Sequence, residues 1–335
     1  MIQNISRSSV MIDRNIIVQN LSNCLDSTEF LALPARRRGK VRDTYDLGDR
    51  MLLVTTDRQS AFDRILASIP FKGQVLNEVS AFWFENTRDI VPNHLISTPD
   101  PNVTLAKKCK VLPIEFVVRG YLTGSTDTSA WTLYNKGSRT ICGNTLPDGM
   151  VKNQKFDKPI LTPTTKSEAH DESISAEEIV SRNIIDKKTW NRAEEIVFGL
   201  FERGTEIAAK NGLVLVDTKY ELGIDNNGDI VLIDEIHTPD SSRYWINATY
   251  ADRFADGLEP ENIDKEFLRL WFRDHCDPYN DKILPKAPDD LIVELSSRYI
   301  RLFEMITGRD FIVNTTEPVA KRMVRNLRTA GIIRD

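Results

Sequence analysis

An α+β fold is predicted by the order in which two periodicities occur along the chain. Strand-like runs of apolar and β-branched residues fill the stretch from about residue 30 to 118, whereas long helical periodicity arrives only after residue 175. A strongly apolar hairpin then sits among the helices. Strands first, followed by mixed strands and helices, argue against a repeating βαβ sheet, which would alternate from the start. No internal repeat is visible.

Taken in order, residues 1–30 read as a peripheral extension. GKVRDTYDLG and RMLLVTT follow as two strands joined at Gly48-Asp49, a hairpin signal, and LAKKCKV and IEFVVRG continue the strand-rich region. A Pro- and Thr-rich loop, KPILTPTTKSEAHDE, spans residues 158–172, the kind of connection that carries function on a scaffold. Ser175 with Glu178 forms a capping box that opens one helix, and a second, Lys188 to Lys210, stops at Asn211-Gly212. Further helices are expected over Ile263 to His275 and Asp290 to Thr307, the latter with Leu291, Leu295, Leu302 and Ile306 on one stripe. A basic helix, Pro318 to Thr329, closes the chain.

The hairpin DTKYELGIDNNGDIVLIDE, residues 217–235, carries six Asp or Glu side chains beside very apolar text. With Asn227-Gly228 as a two-residue turn, Glu221 falls opposite Asp234, and like charges so opposed destabilise a sheet. Alternation also sets Asp217, Lys219 and Glu221 on one face. Such a cluster is tolerable around a hard cation, since Mg²⁺ takes one or two carboxylates plus phosphate oxygens. The other reading is a solvated hairpin edge, and a one-residue slip would place Ile233 opposite Glu221 instead.

Three further stretches could carry chemistry. In ARRRGKVRDTYDLG, Gly39 with Lys40 and Arg42 suits a phosphate clamp at the head of a hairpin; a solvated basic strand is the alternative. In VVRGYLTGS, Arg119 leaves an apolar strand beside Gly120, Gly124 and Ser125, fit either for bidentate anion recognition or for pairing with one of the many acids. In HTPDSSRYW, Asp240 and Arg243 extend the acidic strand, while His237 reads as a packing residue rather than a base. No HExxH, GxSxG or Cys/His arrangement supplies a nucleophile, so electrostatic chemistry on phosphate is expected.

The 335 residues allow about two domains, and the 41% hydrophobic and 28% charged content is that of an ordinary globular protein. A net charge of -5 gives no support to a nucleic-acid or membrane-surface binder. Four scattered cysteines, without a CxxC pair, suggest neither zinc nor disulfides. No apolar leader and no membrane-length run is present, so a cytoplasmic location is expected.

GKVRDTY, TTDRQSAFD, VVRGYLTGS, TPTTKSEAHDE, DTKYELG and DEIHTPDSSRYW occur in the order and spacing of phosphoribosylaminoimidazole-succinocarboxamide synthase, the SAICAR synthetase family, which the chain resembles over roughly residues 30 to 312. The resemblance implies an ATP-dependent ligase that joins L-aspartate to carboxyaminoimidazole ribonucleotide (CAIR), giving the succinocarboxamide, ADP and phosphate through an acyl phosphate. It implies a small β-rich nucleotide-binding lobe (31–115) over a larger α+β lobe (116–335) that binds substrate and metal, with ATP in a kinase- or ATP-grasp-like cleft. By motif, Gly39, Lys40 and Arg42 match ATP phosphate ligands, and Lys110, Val111 and Leu112 the segment that meets adenine. Arg119, Ser125 and Arg243 match ribonucleotide-phosphate ligands, and Lys219 and Asp240 polar groups around the imidazole and carboxylate. Glu221 and Asp234 match Mg²⁺ ligands, supported by Asp217. Lys166 and Ser167, with Asp57 and Ser60, match parts of an aspartate pocket. Small molecules are the implied partners, and the chain is expected to be a monomer or a homodimer. A small-molecule kinase, or a nucleotide-binding module without turnover, would share the clamp and the acidic hairpin.

Overall fold

The computed structural model describes residues 12–29, 31, 33, 35–166, 172–263 and 266–334. A short helix α1 (Arg14–Gln19), capped by Asp13, precedes strands β1 (Arg36–Arg38), β2 (Arg42–Asp46) and β3 (Arg50–Thr55). A small hairpin, β4 (Arg58–Ala61) and β5 (Arg64–Ser68), leads into helix α2 (Lys72–Asn86), and β6 (Leu95–Asp100) and β7 (Val103–Lys107) return to the first strands. These build an antiparallel sheet in the order β1-β2-β3-β7-β6. Its register aligns Tyr45 with Leu52 and Leu52 with Leu105, an apolar row on one face.

The second sheet starts from the long β8 (Lys110–Leu122), which runs through residue 115. After α3 (Ala130–Asn135) and the pair β9 (Thr140–Ile141) and β10 (Asn144–Thr145), strands β11 (Gln154–Leu161) and β12 (Thr164–Thr165) both pair with β8. Helices α4 (Ala176–Ser181) and α5 (Lys187–Lys210) follow; the predicted Ser175–Glu178 capping box opens the first, and α5 ends at Asn211 as expected. Then come β13 (Leu213–Ile224), β14 (Ile230–Ile233) and β15 (Ser242–Ile246), with β13 central between β8 and β14 and also pairing β15. Helices α6 (Asn247–Ala255), α7 (Glu266–His275), α8 (Asp289–Thr307) and α9 (Val319–Thr329) complete the chain.

Helix α2 escaped the sequence reading for a physical reason. It is buried around most of its circumference, from Lys72 and Gln74 to Trp83 and Phe84, so it lacks the polar face that makes a helix legible. Its N-cap, Phe71, has φ 64 and offers no capping side chain, so the usual start signal is missing as well.

The segment read as peripheral is not so over its described part. Ile17 of α1 is fully buried in the main core against α8, and Leu25 and Leu31 join Val319, Met323 and Leu327 of α9 over the apolar row of the small sheet. Arg322 of α9 donates to both oxygens of buried Asp100, each at 3.1 Å, and to Asn102 at 2.5 Å. Both ends of the described chain therefore brace the small sheet, the tail as an extra helix.

Candidate active site

The acidic hairpin differs from the expected register in a way that matters. Asp225 accepts from the backbone N–H of Asn227 (2.9 Å) and Asp229 (3.1 Å), which closes a wider loop and pairs Ile224 with Ile230. Local Asx hydrogen bonding thus outcompetes the two-residue Asn-Gly turn. Glu221 stands opposite Ile233, not Asp234, and its like-charged neighbour is Glu115 on β8. Asp234, just past β14, adopts φ 66, a left-handed conformation that Asp tolerates and that turns the chain at the strand end.

A bulge decides which side chains face this site. Between Leu215 and Asp217 of β13 the register against β15 shifts, leaving Val216 as an extra residue. Before the bulge Leu213 and Leu215 enter the main core; beyond it Tyr220 and Leu222 do. Asp217, Lys219 and Glu221 consequently take the opposite face together, as alternation predicted. Bulges re-aim side chains in this manner beside functional sites.

On that face four acids meet three cations. The Lys219 ammonium lies 3.1 Å from Glu115 Oε1 and 3.7 Å from Asp234 Oδ2 and pairs with Glu221, whose second oxygen pairs with Lys166. Arg42, reaching across from the small sheet, pairs with Asp234 and lies 2.8 Å from Glu235 Oε2. Burial alone would raise the Asp234 carboxyl, but Arg42, Lys219 and Lys166 hold it below the usual carboxylate range. Burial opposes the Lys219 charge, and Glu221, Asp234 and Glu115 outweigh it, keeping the group an ammonium. Among the described residues no group of three or more His, Cys, Asp or Glu forms a cage by itself.

The glycine turn is held from behind. Gly39 N–H donates to Arg42 O at 2.7 Å, and a Cβ on Gly39 would lie 2.8 Å from that oxygen. Arg58, 1% exposed, donates to the carbonyls of Gly39 (2.9 Å) and Lys40 (3.2 Å) and to Asp43 (2.7 Å). Lys40 is outside β2 at the exposed tip, 2.5 Å from Asp63, whereas Arg42 is the first residue of the strand.

A second cluster lies farther along β13. Asp217 pairs with Arg243 on β15 at 2.5 Å and stands 3.6 Å from Arg119 on β8, whose Nε donates to Thr162 at 2.9 Å. Burial, aided by the neighbouring Arg243, draws the Arg119 guanidinium below its usual value against the pull of Asp217. Support of the Glu221 and Asp234 carboxylates by Asp217 is therefore corrected: its partners are the two arginines. Arg243 and Ser125 line a cavity of about 430 Å³ with Gly124, Lys152, Glu259 and Arg273. Gly124 has φ +112, and a Cβ there would meet Ser129 Cβ at 2.4 Å.

Asp240 accepts from Lys72 at 2.6 Å and from the Tyr299 hydroxyl at 2.6 Å. Its loop is pinned to β13 where Lys219 N–H donates to Ser241 O at 3.0 Å. Lys110 and Val111 lie exposed at the start of β8, whereas Leu112 is buried in the main core. Asp57 is turned inward: 2% exposed, it accepts the Leu25 N–H (2.6 Å) and the Gly73 N–H (2.8 Å), and burial pushes it up to about 6. Ser60 is half-buried on β4, and Ser167 lies outside the described residues. His237 packs as expected, fully buried with Nε2 2.5 Å from the Tyr220 hydroxyl and its ring edge-on to Trp83.

The sequence reading missed Glu115, Arg58 and Lys72. Glu115 could have been found by pairing IEFVVRG with the acidic strand, whereas nothing local marks a buried lysine or arginine as such.

The SAICAR synthetase family model matches residues 35–286. A phosphoribosylaminoimidazole-succinocarboxamide synthase of Legionella pneumophila is 60% identical over 306 residues, 91% of this chain and 98% of its own length. The chloroplastic enzyme of that name from Arabidopsis thaliana is 59% identical over 319 residues, 94% of this chain and 78% of the relative. Among solved structures, the SAICAR synthase of Saccharomyces cerevisiae complexed with SAICAR superposes with a TM-score of 0.72 at 33% identity, covering 86% of this chain and 99% of that one. The chain belongs to the SAICAR synthetase family.

Proposed function

We propose that this chain joins L-aspartate to the carboxylate of carboxyaminoimidazole ribonucleotide at the expense of ATP. The products are SAICAR, ADP and phosphate, in purine biosynthesis. Family membership over most of the chain supports the reaction. One observation carries the residue assignment: Arg42, Lys166 and Lys219 interlock with Glu115, Glu221 and Asp234 where the small sheet meets the large one. That is machinery for charge neutralisation, which phosphoryl transfer needs more than it needs a protein nucleophile.

In this reading the substrate carboxylate attacks the γ-phosphorus, ADP leaves, and the aspartate amine then displaces phosphate from the acyl carbon. The Gly39 turn, with Lys40 and Arg42, holds the ATP phosphates, and Lys110 to Leu112 offers backbone to the adenine. Arg119, Ser125 and Arg243 bind the ribonucleotide phosphate; Asp217 between the arginines fixes their orientation. Lys219 and Asp240 orient the imidazole and its carboxylate, and Lys166, with Ser60 and Ser167, borders the aspartate. The cluster offers only hard oxygen donors, which fits Mg²⁺ held by Glu221 and Asp234. When bound, that ion would neutralise charge on the transferred phosphoryl group. The chain would act on small molecules as a monomer or a homodimer; a cytoplasmic setting rests on the four free cysteines.

The test is ADP release from Mg²⁺-ATP, the ribonucleotide and L-aspartate, with each component left out in turn. ADP and succinocarboxamide only from the complete set is the expected result. ADP formed equally without aspartate would instead make the chain a kinase or ATPase.

A further inference from the structure

Two cavities meet at Ser125, and one cation with no protein partner borders both. The first, of about 430 Å³, runs past Lys152, Arg243 and Glu259; the second, of about 470 Å³, runs past Phe62, Asp63 and Arg269. Ser125, Leu270 and Arg273 line both. The other basic side chains on these walls are engaged. Lys152 pairs with Glu259, Arg243 pairs with Asp217, and the Arg269 guanidinium lies 5.3 Å from the Phe62 ring centroid. Arg273 is exposed and makes no ion pair or hydrogen bond among the described residues.

Helix α7 sets where this arginine stands. Leu268 and Phe272, one turn apart, are buried in the main core and fix the rotation of the helix. Arg269 and Arg273, spaced by the same four residues, follow on the adjacent face, which borders the second cavity together with Leu270. The negative end of the helix dipole favours a cation in the last turn, where Arg273 lies, but that preference is met anywhere around the helix. The cavity wall is a more specific placement. A guanidinium fork matches the oxygens of a phosphate, and with no protein anion beside it the charge of Arg273 stays available to a ligand. A phosphate monoester carries a charge of about −1.5 to −2 near neutral pH, more than Arg243, already paired with Asp217, can offset.

We propose that Arg273 is a further ligand of the ribonucleotide phosphate, reaching it from α7 while Arg243 reaches it from β15. The inference rests on the placement of that phosphate at Ser125 and Arg243, and the test separates the two. Steady-state kinetics of the full chain would compare the parent with Arg273→Met, Arg273→Lys and Arg243→Met, varying each substrate with the other two saturating. Arg273→Met keeps an unbranched apolar stem and loses the charge; it should raise the ribonucleotide KM about tenfold while kcat and the KM values for ATP and aspartate stay within about twofold. Its melting temperature should match the parent's, because the side chain is exposed. Arg273→Lys restores the charge without the fork and should fall between parent and Arg273→Met. A parental ribonucleotide KM in Arg273→Met overturns the proposal. So does a rise confined to the aspartate KM, which would place the arginine at the amino acid instead, or an equal loss in both variants with a lowered melting temperature, which would make its role structural. A parental ribonucleotide KM in Arg243→Met withdraws the placement of the phosphate and this inference with it, and a parent that forms no product from the complete substrate set withdraws the ligase reading.

Discussion

Two glycines on α5 provide a matched pair of perturbations. A Cβ at Gly204 would lie 2.3 Å from His237 Cε1 and 2.7 Å from Leu215 Cδ2. At Gly199 the nearest atom is Ile90 Cγ2 at 3.3 Å, the end of a side chain that can yield by a few tenths of an ångström. Both changes to alanine gain helix propensity, about 1 kcal/mol. Relief at Gly204 requires a displacement of roughly 1 Å or more to restore ordinary carbon contact. His237 cannot give way cheaply, because its ring is tied to the Tyr220 hydroxyl at 2.5 Å and lies 4.6 Å, centroid to centroid, from Trp83. Overpacking costs about 1–3 kcal/mol or more, and loss of that buried hydrogen bond adds about 1 kcal/mol. Gly204→Ala should therefore lose about 2 kcal/mol net, while Gly199→Ala stays within about 1 kcal/mol of the parent. Urea unfolding of both variants at equal m-values measures this. Because His237 leads directly into the loop that carries Asp240 and on into β15, which carries Arg243, Gly204→Ala should also raise the ribonucleotide KM. Equal unfolding midpoints for the two variants would refute the packing argument.

Glu221→Gln or Asp234→Asn should lower turnover by two or more orders of magnitude with far-UV circular dichroism unchanged, the scale expected for groups that manage transition-state charge. A folded variant with near-parental rate would remove the metal assignment. Arg243→Met should raise the ribonucleotide KM chiefly, and a change confined to the ATP KM would show that the residue serves a different pocket. Burial keeps His237 and His94 neutral, with pKa values lowered to about 3 and about 4, so imidazole NMR should show neither titrating between pH 6 and 8. A midpoint near 6.5 for either would contradict this. By linkage, each depressed histidine contributes stability that is full above about pH 6.5 and lost as pH falls toward its folded value. Asp57 and Glu78, raised by burial to about 6 and about 7, act in the opposite sense, their contribution being lost as pH rises through those values.

What the sequence by itself determined is whatever rests on local rules. The Ser175 capping box, the stop of α5 at Asn211 and the strand pair on either side of Gly48 depend on residues within a few positions of one another. So does the common face of Asp217, Lys219 and Glu221, which alternation alone supplies. Tertiary structure decided the partners. Glu221 stands opposite Ile233 rather than Asp234 because the Asp225 side chain closed a wider loop, a competition between turns that a dipeptide signal cannot settle, and Glu115 reaches it from β8 on the other side of the strand. Lys72 and Arg58 became buried cations because acids and carbonyls distant in the chain converge on them: Asp240 on the lysine, Asp43 and the Gly39 turn on the arginine. Helix α2 stayed hidden for a related reason, since a helix buried on nearly every side carries no amphipathic signature. Periodicity records which side of an element faces water, whereas ion-pair partners depend on which elements pack together, and that is set by the whole fold.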